Sequence, residues 1–152
     1  MRYILFFLLI SCSKPNIVVD KIEQQPIPIE LLSLKEAEMI LLINQHRVDM
    51  GLIPYKTSLS LYKIANNNCM RMSNENSCNH NGFNDRFLDS GAYFFGEASS
   101  YNYKSAQSNV QAYINSLAHK ETIESDVYEY IAISDIDKYN SLMVAKIILV
   151  IN

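Results

Sequence analysis

Apolar and polar positions divide the chain into three parts. Residues 3–10 are apolar throughout, follow Arg2 and end at Ser11 and Cys12. Residues 13–32 mix short polar and apolar stretches with prolines at 15, 26 and 28, which disfavour helix and favour extended chain. From residue 33 onward, apolar positions recur at helical or strand spacing. The pattern predicts a leader over 1–11, a tether over 12–32 and a folded domain over 33–152.

Helical spacing predicts several helices in the folded domain. Ser33 and Glu36 form a capping box, so a first helix is expected over 34–50, with Gly51 just beyond its end. Its apolar stripe is predicted to face the core. Further helices are predicted over 59–74, 83–89 and 105–117, with a turn-rich loop over 74–83. The stripe of the first helix is Leu34, Ala37, Leu41 and Val48, widened by Ile40 and Ile43.

Three segments have the pattern of strands. They cover residues 93–100, 127–134 and 142–151, and a polar loop over 135–141 joins the last two as a hairpin. Helices come first, and strands that can pair in antiparallel fashion gather late. This order predicts an α+β fold in which helices pack on a small antiparallel sheet.

The N-terminal apolar stretch is typical of an export signal. Eight helical residues rise only about 12 Å, far less than the roughly 30 Å of a bilayer core. A positive charge, a short apolar run and a small residue before Cys12 instead resemble the lipobox of bacterial lipoproteins. The resemblance implies cleavage before Cys12 and acylation of its thiol, which would give stable membrane anchoring. A plain signal peptide in which Cys12 is incidental is the alternative.

Composition narrows the class of partner. The formal net charge is −3, so the chain lacks the basic surface that nucleic-acid binding needs. Hydrophobic residues make up 49% of the chain, which is enough for a packed core. Tryptophan is absent, whereas ten tyrosines are present, so tyrosine is expected where related proteins use tryptophan.

Five segments, in order, resemble a bacterial CAP (SCP-like) domain, of the superfamily of cysteine-rich secretory proteins, antigen 5 and pathogenesis-related proteins. The resemblance covers about residues 35–151 and implies an α-β-α sandwich. With the lipobox, it also implies an extracytoplasmic protein of the bacterial cell envelope. Ser13 after the cysteine, in place of an aspartate that would favour inner-membrane retention, indicates the outer membrane or cell surface in a two-membraned cell. The segments are Asn44 with Arg47 and Gly51-Leu52-Ile53-Pro54, His80-Asn81-Gly82 with Arg86 and Gly91, Gly96-Glu97, Tyr113 through His119, and Ile131-Ala132-Ile133.

The resemblance also implies a candidate site. In the family, two histidines and two acidic residues line a central cleft, and the histidines of some members bind a divalent metal such as zinc. By position, His80 and His119 are the histidines and Glu97 is the first acid, while Ser116 stands where eukaryotic members carry the second. Two imidazoles and one carboxylate could hold zinc with an open position and activate water. The alternative is a hydrogen-bonded polar cluster that supports the cleft wall.

Three functions therefore stay open. The first, which the missing second acid favours, is a non-catalytic binding module that recognises a lipid, glycan or protein. The second is a zinc-dependent hydrolase using His80, Glu97 and His119, and the third is a structural envelope protein. Ser116 and His119 would lie on one face of a helix, so a serine nucleophile activated by His119 is a further hypothesis. However, the chain has no Gly-x-Ser-x-Gly elbow.

Aromatic residues and two cysteines raise further expectations. The aromatic residues near the third segment could line a groove for an apolar or glycan ligand, or could simply alternate between core and surface. Cys69 and Cys78 could form a disulfide in an exported protein. Alternatively, Cys69 is a small core residue and Cys78 is free. The aromatic residues are Tyr93, Phe94, Phe95, Tyr101 and Tyr103.

Overall fold

The computed structural model describes residues 24–147, which form five α-helices and four β-strands. A short 3-10 helix, Ile29–Leu31, precedes the first α-helix. The helices are α1 (Leu34–Asp49), α2 (Leu59–Glu75), α3 (Phe83–Ser90), α4 (Ala106–Asn115) and α5 (Leu117–Glu124). The strands are β1 (Lys56–Thr57), β2 (Ala92–Tyr101), β3 (Tyr130–Ile136) and β4 (Tyr139–Ile147).

The four strands form one mixed sheet in the order β1-β3-β4-β2. Strand β4 pairs antiparallel with both β2 and β3. The prediction of a purely antiparallel sheet is wrong in one respect, because β1 pairs parallel with β3, with Lys56 opposite Tyr130. This strand is only two residues long and has no alternating pattern that the sequence could reveal. The strand order places β1 and β2 at the two edges of the sheet.

Helices cover both faces of the sheet, which confirms the α+β class and the α-β-α sandwich. Successive side chains of a strand point to opposite faces, so odd and even positions of β3 and β4 enter different cores. Ile131, Ile133, Leu142 and Val144 pack with residues of α1, α4 and α5. Tyr130, Ala132, Met143 and Ala145 pack instead with Leu61 and Ala65 of α2.

The core face of α1 differs from the predicted stripe. Leu34, Leu41 and Val48 are 91%, 70% and 51% exposed, so they face away from the sheet. The buried face carries Ile40 and Ile43, which the predicted stripe included, together with Met39, Glu36 and Arg47. A pattern that counts only apolar residues misses part of this face, because two of its five positions are charged.

Arg47 is buried because backbone carbonyls surround its guanidinium. Its Nε donates to the Ile53 carbonyl at 2.9 Å, and its Nη1 donates to the carbonyls of Ile123 at 2.6 Å and Ser125 at 2.9 Å. The guanidinium carbon lies 3.6 Å from the ring centre of Tyr55. This arrangement gives Arg47 a structural role and joins α1 to the end of α5.

The second half of the chain contains more regular structure than predicted. The helix expected over 105–117 ends at Asn115, because Ser116 has an extended conformation, and α5 follows. The polar loop expected over 135–141 is largely strand: β3 reaches Ile136 and β4 starts at Tyr139. Polar residues fit in these strands because helices satisfy them. Tyr113 Oη donates to Asn140 at 2.6 Å, and Asn68 Nδ2 donates to Ser141 Oγ at 3.0 Å.

The C-terminal part of the expected tether is attached to the domain. The Leu59 amide donates to the Gln25 carbonyl at 2.8 Å, and the Ile27 amide donates to Thr57 Oγ1 at 3.2 Å. The Ile27 side chain is buried in the same core as Leu61. Residues 24–32 therefore belong to the folded unit, so the tether boundary at residue 32 is too far along the chain.

Some predicted features lie outside the described residues. These are the leader over 1–11, the lipidated Cys12, the tether up to residue 23 and positions 148–151 of the last strand. None of the helices within residues 24–147 combines the length and apolarity needed to cross a bilayer.

The two cysteines of the described region are not bonded to each other. Cys69 is buried under the sheet, where its thiol donates to the Tyr139 carbonyl at 3.0 Å. Burial raises the pKa of Cys69 to about 12 and keeps it protonated. Cys78 lies exposed in the loop between α2 and α3. The proposed disulfide is therefore absent from this structure, because Cys69 faces the sheet and Cys78 faces solvent.

We expect iodoacetamide to modify Cys78 in the native protein and Cys69 only after unfolding, because a buried, protonated thiol is a poor nucleophile. Peptide mapping by mass spectrometry would identify the modified sites, with Cys78→Ser as the control that loses native labelling. A Cys69–Cys78 linked peptide from non-reduced protein would contradict this arrangement.

Candidate functional site

Glu97 lies in β2 with a side chain that has no exposed surface. Its carboxylate accepts two hydrogen bonds from Arg86 of α3, from Nε at 2.7 Å and from Nη2 at 2.9 Å. Such a two-point pair is among the strongest that side chains form. Because Arg86 is itself largely buried, the pair fixes α3 against the edge strand of the sheet.

His80 is the second residue that contacts the same carboxylate. Its Nδ1 lies 2.7 Å from Glu97 Oε1, while 51% of the His80 side chain is exposed. Arg86 Nη1 also donates to the Asn81 carbonyl at 2.7 Å, so the arginine holds the loop that carries the histidine. The buried carboxylate thus orients an imidazole that faces solvent.

Gly96 allows a helix to approach the strand just before Glu97. A Cβ on Gly96 would lie 3.0 Å from Tyr128 Oη and Val144 Cγ2, and 3.1 Å from Thr122 Cγ2. Thr122 belongs to α5, so a side chain at position 96 would push this helix away from β2. The Gly96-Glu97 pair therefore serves both faces of the sheet: the glycine admits α5, and the glutamate binds α3.

His119 reaches the site from α5, on the other side of the edge strand. Its ring meets the ring of Tyr113 edge-on, with centres 5.2 Å apart. Burial lowers the pKa of His119, and the charge of nearby His80 lowers it further. The structure therefore brings His80, Glu97 and His119 into one region, with His119 favoured as a neutral imidazole at neutral pH.

The donor set does not fit a three-ligand zinc centre. Both carboxylate oxygens of Glu97 are already engaged by Arg86 and His80. A carboxylate in this position supports a histidine rather than coordinating a metal itself. Within residues 24–147, no group of three or more His, Cys, Asp or Glu side chains is arranged to hold a metal ion. Glu97 thus acts as the hydrogen-bond partner of His80, and the two imidazoles are the remaining donors.

Ser116 and His119 have different surroundings. Ser116 is the junction residue between α4 and α5, and it lines a surface groove with Tyr103 and Gln111. The His119 ring packs instead on Tyr113. The described contacts therefore give no support to an activated serine at this junction.

The five aromatic residues do not line one groove. Tyr93 and Phe94 form an exposed edge-to-face pair with ring centres 4.9 Å apart at the start of β2. Phe95 packs instead with Phe83 and Phe87 of α3. Tyr101, at the far end of β2, contacts Tyr139, and Tyr103 lies beyond the strand. The strand therefore separates them, and they do not alternate between core and surface: Phe95 is half-buried, and the other four are exposed.

A separate cleft is lined by none of the histidines. It has a volume of about 540 Å³ and opens between the loop after α1 and the loop after α5. Its walls include Arg47, Ile53, Lys56, Asp126 and Tyr128. Sequence reasoning missed this cleft because its walls come from two loops some seventy positions apart in the chain, and neither loop has a pattern typical of a ligand site.

We expect Glu97→Gln to lower the free energy of unfolding by about 3 kcal/mol, because it leaves the buried guanidinium of Arg86 without its counter-charge. Urea denaturation would measure the change. Ser99→Ala is the matched control on the same face of β2, since Ser99 Oγ is buried with no hydrogen-bond partner among the described residues. A Glu97→Gln variant as stable as Ser99→Ala would contradict this role of Glu97.

The same denaturation experiment, repeated with added zinc, tests the metal hypothesis. If the imidazoles act without a third ligand, zinc should stabilise the protein little, and the His80→Ala/His119→Ala variant should respond in the same way. A large stabilisation by stoichiometric zinc that disappears in this double variant would show a metal site.

Comparisons with solved structures show the same fold. An extracellular protein containing an SCP domain from Bacillus anthracis superposes with a TM-score of 0.70 at 16% identity, covering 74% of this chain and 40% of that one. A cysteine-rich secretory protein from Staphylococcus aureus gives 0.70 at 17% identity, covering 78% and 40%. An outer surface protein from Borrelia burgdorferi gives 0.66 at 17% identity, covering 74% and 94%.

The chain therefore spans about 40% of the first two proteins and almost all of the third. A search of curated proteins gives no significant match. The sequence model described as "CAP: Cysteine-rich secretory protein family" matches residues 40–149, which is most of the chain and includes Arg47, His80, Glu97 and His119. The chain belongs to the cysteine-rich secretory protein (CAP) family.

Proposed function

We propose that this protein is a lipid-anchored component of the bacterial cell envelope, whose CAP domain binds a lipid, glycan or protein partner without catalysing a reaction. Family membership supports a secreted type of domain. The structural neighbours are described as extracellular or outer surface proteins, which supports an extracytoplasmic location. In a two-membraned cell, we place the anchor on the outer membrane or cell surface.

The engagement of Glu97 is the observation that favours a binding role. A general base must accept a proton from water or substrate, and it therefore needs a lone pair that faces the substrate. The Glu97 carboxylate has no exposed surface and is held by Arg86 and His80. His80 presents an oriented imidazole at the surface, which can donate or accept hydrogen bonds to a bound partner.

The zinc-dependent hydrolase is the competing hypothesis. It requires a carboxylate ligand or base next to the two histidines, and Glu97 supplies neither in this arrangement. Ser116 occupies the position of the family's second acid, and its hydroxyl cannot replace that carboxylate. No described contact favours hydrolysis over binding.

Cys12 is the residue through which a lipid would attach the domain to a membrane. The short apolar run and the cysteine at its end support lipid attachment, as in bacterial lipoproteins. Two or more acyl chains are needed for stable anchoring, which a thioether-linked diacylglycerol would supply. The lipid then confines the binding domain to a membrane surface.

We expect Cys12→Ser to abolish acylation and to move the protein from the membrane fraction to the soluble fraction. Labelling of the cells with alkyne-palmitate and fractionation would measure both effects. Cys78→Ser is the matched control, because it removes an exposed cysteine and should leave labelling unchanged. Membrane-bound, unlabelled Cys12→Ser protein would contradict the anchor.

A further inference from the structure

We propose that the cleft between the loop after α1 and the loop after α5 binds a small zwitterion with an apolar body, such as a short apolar peptide. Arg47 binds the carboxylate of this ligand, and Asp126 binds its amino group. None of the histidines lines the cleft. A ligand here is therefore additional to the partner proposed for the domain, and its binding does not depend on the lipid anchor.

The cleft has the size and the lining of a small-molecule site. Its volume of about 540 Å³ lies within the range of roughly 300–1,000 Å³ that is typical of such sites. These sites combine apolar walls with a few polar groups in fixed positions. Here the polar groups are four charged side chains, and the apolar walls are Leu52, Ile53, Pro54 and the ring of Tyr128.

Arg47 brings a buried positive charge to the cleft, which it lines although it is only 1% exposed. Its hydrogen bonds to the carbonyls of Ile53, Ile123 and Ser125 all leave from Nε or Nη1. Nη2 has no acceptor among the described residues. It is also not fully enclosed, since Ser99 Oγ is the one enclosed side-chain polar atom without a partner in residues 24–147. Two N–H groups of the guanidinium are thus left for an acceptor in the cleft.

Asp126 brings the opposite charge to the same cleft. Burial lowers the pKa of Arg47, and the Asp126 carboxylate opposes this shift, so the two charges lie within electrostatic reach of each other. Within the described part of the chain, however, no hydrogen bond or ion pair engages the Asp126 carboxylate. A ligand that carries an anionic and a cationic group on one short frame can bridge the two charges.

The sum of the charges around the cleft favours the same class of ligand. Arg47 and Lys56 balance Asp126 and Glu129, so a simple ion of either sign gains no net attraction. A zwitterion has no net charge, yet it can make a charge-assisted hydrogen bond at each end.

Hydrogen bonds hold both walls of the cleft in place before a ligand arrives. The Leu52 amide donates to the Arg47 carbonyl at 2.8 Å. Asn44 Oδ1 accepts from the Tyr55 amide at 2.8 Å, and Asn44 Nδ2 donates to the Tyr55 carbonyl at 3.0 Å. In the opposite wall, the Ser125 carbonyl accepts from Arg47 Nη1 at 2.9 Å. Loops held in this way lose little conformational freedom when a ligand binds.

Blocked forms of one dipeptide test the two charges separately. Isothermal titration calorimetry on the full-length protein in detergent would compare leucyl-leucine with its N-acetyl form, which lacks the cation, and with its amide, which lacks the anion. We expect the free dipeptide to bind at least about ten times more tightly than either blocked form, because each of these loses one charge-assisted contact. Leucine provides a shorter frame. Failure of both leucine and leucyl-leucine to bind, or equal binding of the blocked forms, would overturn the site.

Asp126→Asn tests which residue meets the amino group. Asp126 is exposed and makes no hydrogen bond in the described region, so the variant should fold normally. We expect it to weaken the binding of leucyl-leucine about tenfold and to leave the binding of the N-acetyl form unchanged. Asp85→Asn is the matched control, since Asp85 is also exposed but lines a different groove. Equal affinities of the two variants for leucyl-leucine would overturn the role of Asp126.

Glycerophosphoethanolamine, which carries a phospholipid headgroup, tests the apolar walls. It has both charges but no apolar body, so we expect it to bind more weakly than leucyl-leucine. Ile53→Ser should weaken the binding of the dipeptide alone. The Ile53 side chain is 83% exposed, and its substitution keeps the carbonyl that accepts from Arg47. A preference for the headgroup, or dipeptide binding that Ile53→Ser leaves unchanged, would overturn the assignment to an apolar peptide.

Discussion

Glu97 is an ionisable carboxylate with no exposed surface, and a buried charge of this kind is costly unless it is paired and hydrogen-bonded. Arg86 supplies a two-point pair, and His80 supplies a third contact. Three pieces of the fold meet here: the edge strand β2, the short helix α3 and the loop before it. Their positions depend on this carboxylate, because α3 has only eight residues and could not be stable alone.

The same strand controls the opposite face of the sheet. Gly96 leaves room for Thr122 and Tyr128, so α5 lies close to β2 and carries His119 toward His80. On that face Arg47 binds the last carbonyls of α5 and completes the attachment. Two buried arginines, one on each face, therefore position the two histidines. The result is a polar site in which the carboxylate of Glu97 is buried and fully engaged, whereas the imidazole of His80 is half exposed.

Much of this architecture could be predicted from sequence. The capping box at Ser33 placed the start of α1, and the resemblance brought together His80, Glu97 and His119. Part of the buried face of α1 escaped prediction because Arg47 and Glu36 occupy core positions that an apolar count ignores. The polar start of β4 escaped for a similar reason, since Asn140 is buried by a bond to Tyr113 that only the tertiary fold creates. The role of Glu97 likewise depends on Arg86, eleven positions away, whose contact no local motif reveals.

The central claim is that Glu97 and Arg86 form one structural unit that joins α3 to the edge strand β2. A double-mutant cycle with Arg86→Met, Glu97→Leu and their combination, followed by urea denaturation, measures it directly. Each single variant strands a buried charge, so we expect the double variant to lose far less stability than the sum of the two, with a coupling of about 2 kcal/mol or more. Additive losses, within about 0.5 kcal/mol, would contradict the claim.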